Sequence, residues 1–216
     1  MDSTTVLLHL VGSVALLLWG VRMVRTGMTR AFGALLRRAL ASGTKSRLSA
    51  FGMGLGVTTL LQSSTATSLI VSSFAGRKLI VGGMALAMML GADVGSTLVA
   101  QLFSIEHNWI APAAIAAGVF TFLAAKADRV RAAARIGIGL GLMFLALKLL
   151  GDASAGMRDS PALGAMLHAL AGEPFLAFLI AALLTWLAHS SLAVVLFIMA
   201  MAGMSAIPLP LALAMV

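Results

Sequence analysis

Long apolar blocks that stop at charged or Gly/Pro-containing segments limit the folds that this chain can adopt. Blocks at about 50–76, 79–103 and 109–125 approach or exceed the roughly 20 residues that a helix needs to cross about 30 Å of hydrocarbon. Only 10% of the residues are charged and the mean hydropathy is +1.06, which leaves too little polar surface for a soluble domain. The sequence therefore predicts an all-α membrane protein, built as a polytopic helical bundle in a lipid bilayer.

The basic residues fall in two clusters that orient the chain. Segment 22–47 is rich in Arg and Lys and contains no acid, and segment 126–135 contains Asp128 as its one acid. The positive-inside rule predicts that both basic loops are cytoplasmic, so the chain must cross the membrane an even number of times between them. The formal net charge of +8 does not indicate nucleic acid, because no soluble basic module is present.

Three apolar blocks separate the two basic clusters. Because the number of crossings between the clusters must be even, one of these blocks does not cross the membrane. Block 50–76 is interrupted by polar residues at 62–65 and ends near Arg77 and Lys78, which predicts a re-entrant hairpin entered from the cytoplasm. Segment 5–24 is predicted as a transmembrane helix rather than a signal peptide, because its basic residues follow it. Segments 106–108 and 152–173 are then predicted outside the membrane on the opposite side.

The second half of the chain resembles the first. At an offset of 127 residues, polar and small positions coincide: Thr58 with Thr185, Ser63 with Ser190, Ser64 with Ser191, Ala66 with Ala193 and Gly76 with Gly203. At an offset of 126, segment 18–22 matches 144–148. The charge argument makes the two units start on opposite sides of the membrane, which predicts two inverted-topology repeats.

The predicted repeats span 1–125 and 126–216. Each is expected to contain a re-entrant hairpin and a broken helix, the latter at about 79–103 in the first repeat, where the sequence GADVGST at 91–97 is small and polar. Its counterpart would follow Val216, so we expect that the chain is a fragment truncated before it. Inverted repeats are typical of secondary transporters, with the solute site near the midplane at broken helices.

Two polar tips and one acid carry the candidate chemistry. The amide and hydroxyls at 62–67 can donate to an oxyanion, and their oxygens suit a hard cation such as Na⁺. Ser and Thr also bond across packed helices, but the recurrence at 189–191 favours a solute role. The predicted substrate- and ion-binding residues are Gln62, Ser63, Ser64, Thr65, Thr67, Asp93, Ser96, Thr97, His189, Ser190 and Ser191, with Na⁺ held by Gln62, Ser63, Ser64, Asp93 and Thr97.

The roles of the two titratable candidates stay open at the level of sequence. Asp93 is the only acid inside an apolar block, and a membrane carboxylate is expensive enough to suggest cation coordination or proton coupling. It could instead cap a half-helix that begins near Gly95. His189 could bond the solute or respond to pH, or it could be a packed polar group.

These motifs are similar to those of the sodium/phosphate cotransporter family, in which each inverted repeat carries a QSSS motif. The chain has QSST at 62–65, and GADVGST at 91–97 is close to the family's GANIGTT, whereas the second repeat has His189 for Gln and Leu192 at the third polar position. The resemblance implies Na⁺-driven phosphate symport by alternating access in the cell's inner membrane. It also implies a homodimer, a PhoU-like regulatory partner in some members, and no cofactor beyond transported Na⁺.

Other functions remain as alternatives. A transporter of another small anion, or a channel-like or regulatory membrane protein, could use the same polar tips. A hydrolase using Ser63 or Ser190 with His189 is disfavoured, because only one of the two Ser pairs has a His and no nucleophile turn is evident. The sequence therefore predicts a transporter and not an enzyme.

Overall fold

The computed structural model describes residues 3–42, 46–103, 109–155, 170, 172–203 and 205–216. Within these ranges the chain is helical and contains no strand, which confirms the all-α prediction. The helices are α1 (Ser3–Ser42), α2 (Arg47–Leu61), α3 (Ser64–Gly76), α4 (Gly82–Phe103), α5 (Ile110–Ala124), α6 (Asp128–Ala155), α7 (Pro174–Ala188), α8 (Ser191–Gly203) and α9 (Leu209–Met215).

Among the helices that the structure describes, three are long and apolar enough to cross a membrane. Their apolar spans are Thr4–Leu40, Gly82–Phe103 and Asp128–Ala153, while α2, α5, α7 and α8 are shorter apolar helices. At 1.5 Å per residue, a helix of 15 residues is only about 22 Å long, less than the hydrocarbon thickness. The chain is therefore a multi-pass membrane protein in which some apolar helices are too short to span alone.

The described helices fall into two compact units. One unit contains α1 from Val21 onward, α2, α3, α4, most of α5, and α6 as far as Leu140. The other contains α1 up to Gly20, the first residues of α5, α6 from Gly141, and α7, α8 and α9. The sequence division at 125 and 126 stays a prediction.

Each unit has its own apolar core. In the first unit, Leu40 of α1, Ala50 of α2, Val71 of α3 and Met88 of α4 are all fully buried in one cluster. In the second unit, Leu150 of α6 packs with Met201 of α8, and Ile198 packs with Ala212 of α9. These cores fix the helix breaks that lie between α2 and α3 and between α7 and α8.

The local backbone recurs at the offset of 127 residues. Helices α2 and α3 have the same lengths and the same relative positions in the sequence as α7 and α8. In the described part of the chain, the four non-glycine residues with positive φ form two pairs at this offset, Gln62 with His189 and Lys78 with Ser205. The sequence repeat is thus accompanied by a repeat of local structure, whereas inverted topology and re-entrant entry stay predictions.

The predicted broken helix at 79–103 is wrong. Residues 82–103 form one continuous helix, α4, that runs through the whole of GADVGST. Glycine in a helix costs about 1 kcal/mol but does not force a break, and no proline is present. Asp93 consequently lies in mid-helix, so the alternative that it caps a half-helix near Gly95 is also wrong.

The two basic segments are largely helical rather than loops. Helix α1 does not stop near residue 24 but continues to Ser42, and α6 begins at Asp128. Arg and Lys are good helix formers, so a change from apolar to basic residues does not end a helix. Segment 106–108, like most of 152–173, lies outside the residues that the structure describes.

Candidate functional site

The first helix break is set by the backbone of two residues. Gln62 follows α2 in the left-handed conformation (φ 52°, ψ 37°), and its N–H donates to the carbonyl of Thr58 over 2.7 Å. Ser63 is extended (φ −155°) and its Oγ accepts from the N–H of Ala66 at 3.2 Å, capping α3. A left-handed residue other than glycine costs about 1 kcal/mol, and such strain is concentrated at functional sites.

A chain of hydrogen bonds locks the break across its two helices. The Thr58 hydroxyl donates to Thr67 Oγ1 over 2.8 Å, and the Thr67 hydroxyl donates to the carbonyl of Ser63 over 3.3 Å. Thr58 and Thr67 are both fully buried. Buried hydroxyls bonded in series hold α2 and α3 in one arrangement, because an unpaired hydroxyl in an apolar interior is costly.

The Gln62 side chain is buried without a complete set of partners. Gln62 is 7% exposed and Ser63 is 8% exposed. The Oε1 atom of Gln62 has no hydrogen-bond partner within the described part of the chain. A buried amide oxygen normally accepts a hydrogen bond or binds a cation, so this atom is a candidate ligand contact.

The other residues of the first tip are more accessible. Ser64 is partly buried and Thr65 is exposed, both in the first turn of α3. The first N–H groups of an α-helix have no intrahelical acceptor and attract anions. The break thus combines acceptor oxygens at the end of α2 with N–H and hydroxyl donors at the start of α3.

The second break has the same backbone and fewer polar contacts. His189 is left-handed (φ 51°, ψ 29°) and exposed, with Nδ1 lying 3.2 Å from the carbonyl oxygen of Leu187. Ser190 is buried and its Oγ accepts from the N–H of Ala193 at 3.3 Å. Ser191 is exposed, and Val194 stands where the first break has Thr67.

The candidates on α4 do not join the first tip. The Ser96 hydroxyl donates to the carbonyl of Ala92 over 3.0 Å, and the Thr97 hydroxyl donates to that of Val94 over 2.7 Å. Asp93 is exposed. Gln62, Ser63 and Thr67 lie at the first break, where the Thr67 hydroxyl donates to the carbonyl of Ser63, whereas Asp93 and Thr97 are exposed on α4. A Na⁺ site shared by Gln62, Ser63, Ser64, Asp93 and Thr97 stays a prediction.

Three glycines show which face of α4 contacts α2. A Cβ atom on Gly91 would meet the backbone of Phe51, one on Gly54 would meet the backbone of Met88, and one on Gly95 would lie 3.1 Å from Cβ of Thr58. The Gly91–Gly95 face of α4 is therefore pressed against α2. At 100° per residue, Asp93 points to the opposite face.

One polar residue of the site was missed by sequence reasoning. Thr58 is the buried donor to Thr67 and lies directly under Gly95. Its signal in the sequence is its recurrence as Thr185 at the offset of 127 residues. A threonine four residues before the break is also where a hydroxyl can reach the first turn of the following helix.

The comparisons with known proteins agree with these motifs. The family model of the Na+/Pi-cotransporter matches residues 16–152. The chain is 40% identical over 97% of its length to "Putative inorganic phosphate export protein YjbB" of Escherichia coli (strain K12), and 41% identical to the protein of that name in Salmonella typhimurium. It is 25% identical over 86% of its length to "Uncharacterized protein YqeW" of Bacillus subtilis (strain 168).

The chain spans 39% of the length of the two phosphate export proteins and 61% of that of the Bacillus protein. No solved structure matches the chain. The resemblance seen in QSST and GADVGST is nevertheless confirmed, since the family match covers most of the chain, including both motifs. The chain belongs to the Na⁺/Pi-cotransporter family.

Proposed function

We propose that this protein moves inorganic phosphate across the membrane coupled to Na⁺, and that the first helix break is part of the binding site. The observation that carries the proposal is the buried Oε1 of Gln62, which has no hydrogen-bond partner among the described residues. A bound cation, or a donor group of a protonated phosphate, would satisfy this oxygen. The proposal also rests on the family and on the printed names of the export proteins.

The two helix ends at this break provide for ions of both signs. The carboxyl end of α2 presents carbonyl oxygens and a partial negative charge, and the amino end of α3 presents N–H groups and a partial positive charge. Gln62 and Ser63 lie between these ends. We therefore assign Na⁺ to the oxygens of Gln62 and the end of α2, and phosphate to the N–H and hydroxyl groups of Ser64 and Thr65.

The second break is proposed to take part through His189, Ser190 and Ser191. Its backbone repeats that of the first break, which supports a duplicated hairpin. Helices α2 and α3, and likewise α7 and α8, are too short to span the bilayer singly. We propose that each pair is re-entrant and that the repeats are inverted, with the basic segments in the cytoplasm.

Asp93 is proposed to act apart from Gln62. Its carboxylate lies on the face of α4 that is turned away from α2, and an exposed carboxylate in mid-span is costly in lipid. A cation or proton bound during transport would offset that cost. Asp93 and Thr97 share this face as i and i+4 neighbours, so they are a candidate pair for a second cation.

The test is phosphate flux in proteoliposomes driven by a Na⁺ gradient. Each coupled Na⁺ that moves down a tenfold gradient releases about 1.4 kcal/mol and can sustain a tenfold phosphate gradient. Flux is measured with radiolabelled phosphate in both directions, because the named relatives are export proteins. We expect Na⁺ but not K⁺ to drive accumulation, and Gln62→Ala/Ser63→Ala to abolish it.

A matched double variant controls for the loss of hydroxyl groups. Ser72 and Ser73 lie on α3 but are exposed and distant in sequence from the break, so Ser72→Ala/Ser73→Ala should retain the flux. Accumulation of sulfate in place of phosphate would indicate another anion. Flux that only dissipates gradients would indicate a channel and would contradict the proposal.

A further inference from the structure

The end of α5, the start of α6 and the middle of α1 line a basic cavity that is far from the helix breaks in sequence. The cavity has a volume of about 670 Å³ and belongs to the first compact unit. A Cβ atom on Gly27 of α1 would lie 2.7 Å from the carbonyl oxygen of Ala132 of α6, so these helices touch beside the cavity. The lining residues are Arg30, Phe122, Asp128, Arg129, Arg131, Ala132 and Arg135.

The lining is strongly positive. Four guanidinium groups and the single carboxylate of Asp128 give it a formal charge of +3. Guanidinium groups bind phosphate in a bidentate manner and are more weakly hydrated than ammonium groups. The cavity is therefore suited to a phosphate group, and its volume is larger than a single free phosphate would fill.

Aromatic rings contact three of the four guanidinium groups. The Cζ atom of Arg131 lies 4.7 Å from the ring centroid of Phe122, and that of Arg135 lies 5.5 Å from the same centroid. Arg129 lies 5.5 Å from the ring centroid of Phe32 on α1. Such cation–π contacts orient the side chains before any anion binds.

The surroundings of the cavity are apolar and exposed. Leu123 follows Phe122 on α5 and is 74% exposed, and Val130, which lies between Arg129 and Arg131 on α6, is also exposed. In a membrane protein such side chains face acyl chains. A basic cavity directly beside lipid-facing residues fits an amphiphile with a phosphate head and apolar tails better than a soluble anion.

We propose that this cavity binds the phosphodiester headgroup of an anionic phospholipid. Basic cavities between membrane helices on the cytoplasmic side accommodate such headgroups, and the positive-inside rule assigns segment 126–135 to that side. The headgroup phosphate contacts Arg131 and Arg135, and the acyl chains lie along Leu123 and Val130. The site is separate from the transport site and does not depend on it.

The test is native mass spectrometry of the purified protein titrated with phosphatidylglycerol or phosphatidylcholine. We expect at least about tenfold tighter binding of phosphatidylglycerol, and roughly 30-fold weakening in Arg131→Gln/Arg135→Gln, because this variant loses two charge-assisted contacts to the headgroup phosphate. The control Arg37→Gln/Arg38→Gln removes two exposed charges from α1 outside the cavity lining. It should bind phosphatidylglycerol as the unmodified protein does.

A charge-retaining variant distinguishes the loss of charge from a loss of the fold. Arg131→Lys/Arg135→Lys should keep most of the phosphatidylglycerol affinity, and helical circular dichroism checks the fold of every variant. Equal binding of the two lipids, or equal weakening by both Gln pairs, would overturn the proposal. Displacement of the lipid by millimolar inorganic phosphate, with dependence on Arg131 and Arg135, would assign the cavity to a free anion and would also overturn it.

Discussion

The two helix breaks of this protein share a backbone and differ in chemistry. Gln62 and His189 have the same left-handed conformation, and Ser63 and Ser190 cap the following helices in the same way. At the first break the glutamine is buried and Thr67 receives a hydrogen bond from Thr58. The second break has an exposed histidine, and a valine replaces the second threonine.

The comparison indicates which residues are needed for a helix break and which are not. A left-handed residue followed by a capping serine is enough to break a helix, as the second break demonstrates. The buried amide and the hydroxyl chain of the first break are additional. Polar groups in an apolar interior are costly unless they are paired, so their presence in the first break favours a role in solute binding.

The largest effect on stability is expected at the contact between α2 and α4, beside the first break. A Cβ atom on Gly54 would meet the backbone of Met88, whereas position 181 of the second half already carries a buried alanine. Gly54→Ala should lower the free energy of unfolding by about 3 kcal/mol, because a backbone cannot yield as a side chain can. Thermal unfolding in detergent measures the loss.

Gly52 provides the matched control on the same helix. A Cβ atom there would have nothing within 4 Å, so Gly52→Ala should stabilise the protein by up to about 1 kcal/mol through helix propensity. Equal stabilisation by both alanines would mean that α2 and α4 are not in close contact.

The next effect concerns the hydroxyl chain that distinguishes the two breaks. Thr67→Val gives the first break the residue that the second has at this position, Val194, and leaves the Thr58 hydroxyl without its partner in the interior. We expect a loss of about 1–2 kcal/mol. Adding Thr58→Val should recover part of this lost stability, since replacing both partners removes the unpaired hydroxyl. If the stability changes of the two single variants simply add in the double variant, the two threonines are not coupled.

Replacing either capping serine should lower stability by a similar amount. Ser63→Ala and Ser190→Ala each remove a side-chain acceptor for the first turn of a helix, and each should cost about 1 kcal/mol of stability. Chemical denaturation in detergent compares the two. A neutral result at Ser190 alone would show that the second break is not held by its cap.

The smallest effect is expected from the left-handed residues. His189→Gly should raise stability by at most about 1 kcal/mol, because glycine adopts positive φ without strain and the exposed imidazole contributes little packing. Gln62→Gly should gain less, since it also removes a buried side chain. A larger gain at Gln62 than at His189 in thermal unfolding would contradict the role of its burial.

Sequence reasoning located the breaks but not every element around them. The polar run at 62–65 in an apolar block, repeated at 189–191, could be read directly because polar groups at membrane depth are rare. The sequence GADVGST predicts a break at 91–97, but glycine serves both helix breaks and close helix packing. Only the proximity of Gly91 to the backbone of Phe51 shows which applies.

The length of α1 differs from the sequence prediction for another reason. Helix α1 extends to Ser42 because its basic half has good helix formers and an apolar face, with Leu36 and Leu40 in the core. A charge boundary therefore marks where a helix leaves the lipid, not where it ends. Thr58 was overlooked because its partner Thr67 lies beyond the break and only the folded chain pairs them.

In the proposed function, Gln62 couples Na⁺ to phosphate at the first break. Equilibrium binding of radiolabelled phosphate to the purified protein, measured as Na⁺ replaces K⁺ at constant ionic strength, tests this coupling. We expect Na⁺ to raise the phosphate affinity of the unmodified protein and Gln62→Ala to remove this increase. The same increase in Gln62→Ala, or an equal effect of K⁺ on the unmodified protein, would contradict it.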